Sequence, residues 1–597
     1  MKVVFKPSGI VFEAREGMTI MDAIRAADLK IDAPCGGNGT CKKCKVTVTD
    51  DLGTREVLAC STKITGDMTV EIPRKDEGHR ILMGGITREV APTPAVKVLT
   101  LEIPRPTTED LRDCWRRLLD SIEAAGGGAA ASFRPNLQVI SSLYDTLEEN
   151  SYRVDAVICA DEVLDVIPVG TPVLGLAYDI GTTTVACYFG DLRSGEQIGQ
   201  ASLLNPQTTY GGDVIMRVKY CVENGLAGPT GDIRKALNQL AGKCAASAGY
   251  KMRNIYLITI VGNTCMHHLF LGISPASLAY APYTPAAAEP MQLTAADFGF
   301  SVNSSAKLYM LPNIAGFVGA DTVGAALAAS MDEKEQMTLL IDIGTNGEMV
   351  LGTKERLIAC STAAGPAFEG ALITCGMRGA EGAIDHVSLE NGKLSYSVIG
   401  DGKPIGICGS GLIDLISELV RVGMVESAGR LIEADEAESE EAKLLSRYIV
   451  EYEGQRAFLI ADAEASGTGE RLVFTQKDVR EVQLAKGAMA AGIQMMCRKL
   501  GIDTDDITCV MIAGAFGSYM SPASACGIGL IPPELEEEVM AIGNAAGQGA
   551  RLCMLSIVEY ERAARLAASI EYLELAADPA FQDVFVDELE FPGEDDE

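Results

Sequence analysis

A short motif that occurs twice constrains the fold of most of this chain. Asp-Ile-Gly-Thr ends an apolar run at residues 179–182 and again at 342–345, and a second strand-like segment follows each copy. Another pair of related segments, at 260–264 and 512–517, follows a predicted helix and strand in each half. An internal repeat of this kind predicts a duplicated domain, in which two related lobes face one another across a cleft.

The turns of this repeat are suited to phosphate groups. Backbone N–H groups of glycine-rich turns bind phosphate oxygens, and threonine hydroxyls add further donors. Asp179 and Asp342 end the strands, where Mg²⁺ or an attacking water must be held. Any one turn is equally well a tight connection between strands, so the hypothesis rests on both turns together with a third glycine-rich turn at 513–517.

At these residues the chain resembles the superfamily of actin, sugar kinases and heat-shock ATPases, whose two lobes have a ribonuclease-H-like fold. The resemblance implies ATP and Mg²⁺ as ligands, with Asp179 and Asp342 as the catalytic residues that organise Mg²⁺ and water. It also implies that segments 316–327 and 542–547 form two helices that cross beneath the cleft. The implied nucleotide-binding residues are Gly181, Thr182, Thr183, Thr184, Gly344, Thr345, Asn346, Gly347, Gly514, Ala515, Phe516 and Gly517.

The N-terminal region carries four cysteines at the spacing of metal ligands, three in a glycine-rich loop and one in a later segment: Cys35, Cys41, Cys44 and Cys60. Four thiolates are the ligand set of a [2Fe–2S] cluster, two for each iron, and the pattern resembles ferredoxin domains. Five residues separate the first two cysteines, one more than in plant-type ferredoxins and closer to the adrenodoxin-like variant. Structural Zn²⁺ is the alternative occupant, although its sites usually pair two CxxC knuckles.

The segments around these cysteines predict a small β-grasp domain over residues 1–75. A hairpin is expected over 2–13, a helix capped by Thr19 follows, and strands are expected at 45–49 and 68–72.

The rest of the chain divides by composition. A segment with Gly-Gly and Pro-Thr-Pro and no periodicity predicts a flexible linker, and a small α/β domain follows, its first helix capped near Thr107 or Thr108. The C-terminal residues are strongly acidic. The expected domains are 1–75 (ferredoxin-like), 76–95 (linker), 96–171 (small α/β domain), 172–580 (ATPase body, with lobe I to about 330 and lobe II from about 331) and 581–597 (acidic tail).

Charge and hydropathy exclude some classes of function. The chain of 597 residues has a net charge of −32, which argues against a nucleic-acid binder because phosphate repels an acidic surface. No apolar stretch is long enough to span a membrane and the start lacks a signal peptide, so we expect a cytoplasmic protein. Residues 1–75 carry 12 basic and 10 acidic residues, a net charge of +2. Either this basic head docks onto the acidic body or an acidic partner, or its charges are simply solvated.

The order of these domains resembles the reductive activators of corrinoid proteins. The resemblance implies that the cluster, with ATP consumed, returns the cobalt of a corrinoid protein from Co(II) to Co(I), that a low-potential donor reduces the cluster, and that the ATPase body forms a homodimer. Two alternatives remain at this point. Activators of 2-hydroxyacyl-CoA dehydratases resemble the ATPase body alone, and a non-redox kinase or chaperone-like ATPase would carry a structural metal in its head.

Two further sets of residues have open roles. Asp179, Asp342 and Glu348 are the candidate general bases for ATP hydrolysis. His267 and His268 follow the turn at 260–264, and a hydrogen-bonded structural pair is expected rather than a metal or corrinoid ligand.

Overall fold

The computed structural model describes residues 1–15, 17–27, 29, 31, 33, 37, 39, 44–51, 53–73, 88–400, 402–517 and 519–593. Its N-terminal module, residues 1–73, is a mixed sheet in the order β2-β1-β5-β3-β4 with a helix packed on it. Thr19 caps that helix in a reciprocal pair with Asp22, as the sequence predicts. The elements are β1 (Lys2–Lys6), β2 (Val11–Glu13), α1 (Ile20–Ala26), β3 (Lys45–Asp50), β4 (Gly53–Leu58) and β5 (Met68–Glu71).

The β-grasp expectation for this module is confirmed, with one strand that the sequence did not reveal. Edge strand β4 pairs only with β3 among the described strands. Its residues are mostly polar and exposed, so it lacks the alternating apolar pattern by which strands are recognised.

The small α/β domain is an antiparallel sheet in the order β6-β7-β8 with two helices on one face. Its first helix begins at Cys114 and not near Thr107, because Asp113 provides the N-cap. Upstream, Asp110 binds the side chains of Arg112 and Arg117 and holds the preceding segment in a turn. The elements are β6 (Val96–Glu102), α2 (Cys114–Ala124), α3 (Leu137–Glu149), β7 (Arg153–Cys159) and β8 (Glu162–Pro168).

Lobe I of the body is built on a sheet in the order β11-β10-β9-β12-β14-β13. The central strands β9 and β12 are almost continuously apolar, as expected for strands covered on both faces. The elements are β9 (Leu174–Ile180), β10 (Thr184–Asp191), β11 (Gln197–Leu204), α4 (Val214–Asn224), α5 (Ala227–Ser247), β12 (Ile255–Gly262), α6 (Thr264–Leu271), β13 (Met291–Thr294), β14 (Lys307–Met310) and α7 (Ala320–Ala328).

Lobe II repeats this plan with a sheet in the order β25-β24-β15-β16-β17-β26 and adds two small sheets. The elements are β15 (Thr338–Ile343), β16 (Gly347–Thr353), β17 (Arg356–Thr362), β18 (Ala383–Glu390), β19 (Lys393–Val398), β20 (Gly406–Ile407), α8 (Gly409–Arg421), α9 (Glu440–Leu445), β21 (Ile449–Tyr452), β22 (Gln455–Ala461), β23 (Leu472–Thr475), α10 (Gln476–Leu500), β24 (Cys509–Ala513), α11 (Gly514–Gly517), α12 (Pro522–Gly527), β25 (Val539–Gly543), α13 (Ala545–Leu555), α14 (Ile557–Ser569), β26 (Ile570–Tyr572) and α15 (Phe581–Asp587).

The two sheets confirm the duplication. In lobe I, the antiparallel strands β11-β10-β9 are followed by β12, which runs parallel to β9. In lobe II, β17-β16-β15 are followed in the same way by β24, parallel to β15. Helices α7 and α13 pack in one core with both sheets, so the predicted pair of crossing helices is present.

Part of the segment predicted as a flexible linker is anchored instead. Thr93 donates its N–H to the carbonyl of Leu555 at 2.8 Å and accepts from the N–H of Ile557 at 2.9 Å. Arg88 pairs with Glu559 on α14. The flexible-linker expectation is therefore wrong for residues 88–95, because hydrogen bonds and an ion pair fix them to the body; residues 76–87 lie outside the described residues.

The described part of the acidic segment 581–597 packs against the body. Helix α15 lies against α10, and Phe591 is only 2% exposed. Gln483 on α10 donates to the carbonyl of Leu589 at 3.0 Å. Among the described helices, none is long and apolar enough to cross a membrane.

The contact between α7 and α13 leads to a stability prediction. A Cβ added at Gly549 would lie 2.1 Å from the carbonyl oxygen of Gly324. We therefore expect Gly549→Ala to force the helices apart and to lower the unfolding free energy by about 1–3 kcal/mol, the usual cost of overpacking. Thermal and urea unfolding, followed by circular dichroism, measure the change.

The matched control is Gly231→Ala in α5, where an added Cβ meets nothing within 4 Å. This variant should be neutral or more stable by about 0.5–1 kcal/mol, because alanine favours helix. Equal stability of the two variants would contradict the close packing of α7 on α13.

Candidate nucleotide and iron–sulfur sites

A cavity of about 290 Å³ lies between the lobes, and both copies of the repeated motif line it. Residues from the starts of α7 and α13 complete its wall. The repeat residues that line it are Asp179, Gly181, Thr182, Thr183, Thr184, Asp342, Gly344, Thr345, Asn346 and Glu348. The structure thus brings the two predicted phosphate loops into one site.

The first phosphate loop, residues 181–183, is held by lobe I itself. Asn205 donates its side-chain N–H to the carbonyl of Gly181 at 2.8 Å, and its backbone N–H to that of Thr183 at 2.8 Å. The buried guanidinium of Arg217 donates to the carbonyl of Thr182. Hydrogen bonds from lobe I to these three carbonyls therefore determine the position of the loop.

The second phosphate loop contains a buried hydroxyl suited to a ligand. Thr345 is 4% exposed, and its Oγ1 has no hydrogen-bond partner among the described residues. Leaving such a group unpaired costs free energy, which a phosphate oxygen would recover. This orphaned donor, beside the loop glycines, fits the residues to a nucleotide phosphate.

The third predicted turn lies beside the second loop. Gly514 has φ +92°, and a Cβ there would lie 3.0 Å from Asp342 Oδ1, so glycine allows the close approach. Gly514 lines the cavity, whereas Gly517 packs against Ile512. Ala515 and Phe516 belong to α11, and their side chains lie outside what the structure describes.

Four of the carboxyl groups that line the cavity, those of Asp179, Asp321, Asp342 and Glu348, have raised pKa values. Burial, followed by repulsion from Asp321 and Asp342, raises the pKa of Asp179 to about 7. Burial and the neighbouring Asp342 raise the pKa of Asp321 to about 7, and burial raises that of Asp342 to about 6. Burial, followed by repulsion from Asp321 and Asp342, raises the pKa of Glu348 well above its ordinary value. Such a cluster favours a bound cation, which would relieve the repulsion.

The carboxylates of the cavity fit Mg²⁺ only if a bound nucleotide supplies further oxygen ligands. Within the described residues, no three or more His, Cys, Asp or Glu side chains are grouped as a metal site by themselves. Mg²⁺ commonly binds through one or two carboxylates together with phosphate oxygens and water. Asp179 and Asp342 suit that role, and the bound ion would neutralise phosphate charge.

Among the polar residues that line the site but were not assigned from the sequence, Asp321, Asn544 and Glu369 lie beside the predicted ones. Asp321 begins α7, and Asn544 caps α13 while donating to Asp179 at 3.0 Å. Glu369 accepts from the Thr183 hydroxyl at 2.9 Å, across the cleft between the lobes. Asp321 and Asn544 lie in the segments predicted as crossing helices, so the sequence pattern could have identified them. No sequence pattern identifies Glu369, because its role depends on contact with the opposite lobe.

The N-terminal module holds the other site. Cys44 Sγ and Cys60 Sγ are 3.2 Å apart and form no disulfide, so two of the four predicted ligands converge from separate segments. Cys35 and Cys41 lie outside the described residues. Two converging cysteine side chains beside a β-grasp sheet fit thiolate ligation of a metal cluster.

The described partners of His267 and His268 are hydrogen-bonding groups of lobe I. The ring of His268 contacts the carbonyl of Thr264 at 2.8 Å and accepts from the N–H of Ala286 at 3.0 Å. His267 lies 3.3 Å from the Asn313 amide, and burial lowers its pKa to about 3. Neither histidine lines the nucleotide cavity.

Comparison with known proteins assigns successive parts of the chain. Residues 3–65 match the 2Fe-2S iron-sulfur cluster binding domain, 85–171 the RACo linker region, 174–334 the RACo middle region, and 336–597 the C-terminal domain of RACo, described as the ASKHA domain. A protein of Eubacterium limosum described as "Corrinoid activation enzyme RamQ" is 34% identical over 601 residues, which cover 98% of each chain. The chain belongs to the RACo family.

Other relatives of this RACo-family chain agree in architecture. A solved structure described as a "Reductive activator for corrinoid,iron-sulfur protein" is 33% identical with a TM-score of 0.76, covering 99% of this chain and 98% of that one. A Methanosarcina barkeri protein, a reductase of a Co(II) methylated amine-specific corrinoid protein by its description, is 23% identical over 70% of this chain and 77% of its own. The expected fold class, a ferredoxin domain, a small α/β domain and an actin-like ATPase body, is confirmed.

The role of the second strand-end aspartate is testable in this RACo-family chain. We expect Asp342→Ala to abolish ATP turnover, because it removes a carboxylate that organises Mg²⁺, and to leave the visible spectrum of the cluster intact. Phosphate release and absorbance of the same sample measure both. Asp385→Ala, in strand β18 outside the cavity, is the control and should retain turnover. Surviving turnover in Asp342→Ala would mean that the second phosphate loop is misassigned.

The raised pKa values predict how nucleotide binding depends on pH. Protonated carboxyls pair poorly with Mg²⁺, so affinity for Mg²⁺-nucleotide should fall as the pH drops from 8 through about 7 and 6. Binding at pH 7 should release protons, which calorimetry in buffers of different ionisation enthalpy detects. Asp321→Asn should reduce this release, and an unchanged proton count would contradict the assignment.

The stability of the protein without nucleotide should depend on pH in the opposite direction to nucleotide affinity. The unfolded aspartates ionise near 3.8 and the folded ones near 6 to 7, so the folded state binds more protons between these values. Stability of the nucleotide-free protein therefore falls as the pH rises through this window.

Proposed function

We propose that this protein couples ATP hydrolysis to the delivery of one low-potential electron from its [2Fe–2S] module to a corrinoid protein, reducing Co(II) to Co(I). The observation that carries the proposal is the presence, on one chain, of a cysteine site in a β-grasp module and a phosphate-binding cleft between duplicated lobes. Full-length similarity to proteins described as corrinoid activators supports the choice of acceptor.

The cleft supports ATP as the nucleotide and Mg²⁺ as its ion. Two glycine–threonine loops, the orphaned Thr345 hydroxyl and a cluster of raised-pKa carboxyls together match a cation-bound polyphosphate. The match of residues 336–597 to an ASKHA domain points to the same ligand. Asp179 and Asp342 would hold or orient Mg²⁺ and the attacking water, with Glu348 and Asp321 close by.

The energetic reason for joining the two sites is an uphill electron transfer. Plant-type clusters have potentials near about −400 mV. A one-electron transfer loses a factor of ten in equilibrium for roughly every 59 mV uphill. A nucleotide-driven switch of about 5.5 kcal/mol, enough to move a population from 1:99 to 99:1, offsets about four such factors.

The partners follow from this chemistry. The acceptor is a corrinoid protein in the Co(II) state, and an external low-potential donor must re-reduce the module after each electron. We further propose that the protein is a homodimer through its ATPase body, which light scattering on the purified protein tests.

No described feature favours the two alternative functions. Dehydratase activators resemble the ATPase body alone, whereas this chain matches a 2Fe-2S domain over residues 3–65. A small-molecule kinase would need no electron module.

The function is tested by anaerobic spectroscopy. Purified protein, a reductant and a Co(II) corrinoid protein are mixed with and without Mg²⁺-ATP, and the Co(I) absorbance band is followed. The band should appear only with ATP. A reducible [2Fe–2S] signal without Co(I) would indicate another acceptor, and absence of any cluster signal would contradict the ferredoxin assignment.

A cysteine substitution separates the two activities within this assay. Cys44→Ser removes a proposed cluster ligand, so we expect loss of Co(I) formation with ATP turnover retained. Cys114→Ser, a partly exposed cysteine of the small α/β domain, is the matched control and should retain both. Co(I) formation at the wild-type rate by Cys44→Ser would exclude this cysteine as a ligand on the electron path.

A further inference from the structure

Arg25 of the N-terminal module contacts lobe I. Arg25, on α1, donates from Nη2 to the carbonyl of Thr209 at 2.7 Å. Its guanidinium carbon lies 5.6 Å from the centroid of the Tyr220 ring, at cation–π distance. Tyr220 in turn packs on Tyr210, with ring centroids 4.8 Å apart. This small surface of lobe I therefore presents a carbonyl and an aromatic face, which together match a guanidinium.

The same module also faces lobe II. Lys45, at the start of β3, pairs with Glu56 at 2.9 Å and has electrostatic interactions with Glu470 and Tyr452 of lobe II. The module thus contacts lobe I through Arg25 and interacts electrostatically with lobe II through Lys45. Charge complementarity supports this placement, because residues 1–75 carry a net charge of +2 on a chain of net −32.

Thr209, whose carbonyl accepts from Arg25, lies four residues after Asn205, which binds the first phosphate loop. Thr209 ends the turn Pro206–Thr209, which directly follows Asn205. Asn205 is fully buried and binds the carbonyls of Gly181 and Thr183 in the phosphate loop. A shift of the loop would therefore move the turn that carries the Arg25 acceptor.

A second connection runs through a buried arginine. Arg217 is fully buried, and it binds the carbonyl of Thr182 in the loop and that of Gly211 at 2.9 Å. Arg217 lies on α4, the helix that also carries Tyr220. Both halves of the Arg25 surface thus belong to segments that also contain, or directly follow, a residue bonded to the phosphate loop, Asn205 or Arg217.

On the other side, Arg25 lies beside the cysteine region. A Cβ added at Gly37 would be 3.7 Å from Arg25 Nη2 and 3.8 Å from Cys60 Cβ. One guanidinium therefore adjoins both the lobe I surface and the neighbourhood of a proposed cluster ligand.

We propose that the surface formed by Thr209, Tyr210 and Tyr220, here called the docking surface, is a binding site for the chain's own N-terminal module, held by Arg25. We further propose that nucleotide at the first phosphate loop releases the module from it. The release depends on the proposed function, since it requires ATP in the cleft; the docking itself does not.

The direction of this coupling follows from the cleft. The Thr183 hydroxyl donates to Glu369 of the opposite lobe. A phosphate that takes this hydroxyl breaks the contact between the lobes and changes their separation. The module interacts with both lobes, so a changed separation would weaken the contact of Arg25 with lobe I. By linkage, release of the module strengthens nucleotide binding by the same factor.

Hydrogen–deuterium exchange of the full-length, cluster-loaded protein tests the docking. Arg25→Ala should speed exchange in α4 of lobe I, and Tyr220→Leu should speed exchange in α1 of the module, each by at least about fivefold, the lower range of measured couplings. Effects across domains are decisive, because a local loss of structure would stay in the mutated domain. Arg15→Ala, an exposed arginine of the same module, is the charge-matched control and should change neither helix.

The outcomes separate the two proposals. If neither variant changes exchange in the other domain, the docking is overturned. Tyr220→Leu lies in lobe I, so it still tests the docking even if Arg25→Ala loses its cluster. Effects that grow with protein concentration would show contact between copies and overturn docking within one chain.

The nucleotide step is tested with a non-hydrolysable ATP analogue and Mg²⁺. The analogue should protect residues 179–184 and speed exchange in α1 of the wild type, but not further in Arg25→Ala. Protection of the loop without any change in α1 would overturn the release and leave docking and proposed function intact. No protection of the loop would overturn both the release and the ATP part of the proposed function.

Discussion

The close crossing of α7 and α13 is the constraint on which the rest of the ATPase body depends. Gly324 and Gly549 allow backbone contact at a distance that a single methyl group would prevent. The crossing sets the separation of the two six-stranded sheets, because both pack in one core with these helices. It also places the helix starts, with Asp321 and Asn544, in the wall of the cavity. Packing of small residues thus determines the geometry of the chemistry.

The cavity is electrostatically unfavourable when it holds no cation. Carboxyls in a buried wall repel one another, and their raised pKa values express the cost of ionising them there. The Mg²⁺ ion of a bound nucleotide would offset the repulsion between these carboxyls, and a phosphate oxygen would be the missing partner of Thr345. Binding energy of this kind, realised only when the ligand is present, is what a nucleotide-driven switch requires.

Much of the architecture was predictable, since local patterns specify it. The β-grasp hairpin, the Thr19 cap and the paired phosphate loops depend on residues that are neighbours in sequence. The start of α2 was misplaced by the sequence because Thr107 and Asp113 are both acceptable caps, and the ion pairs of Asp110 decide between them. The anchored segment at Thr93 was missed since its partners lie on α13 and α14, far along the chain.

The sequence by itself determined the candidate chemical parts of this protein: the predicted cysteine ligands, the two strand-end aspartates and the glycine–threonine turns. These are recognisable because each reaction needs particular residue types at short, fixed spacing. Only the tertiary structure decided which parts meet. Asn544 reaches Asp179 across 365 positions, Glu369 reaches Thr183 across 186, and Arg25 reaches Thr209 across 184. Contacts at such separations depend on how helices and sheets pack, and no local pattern encodes them.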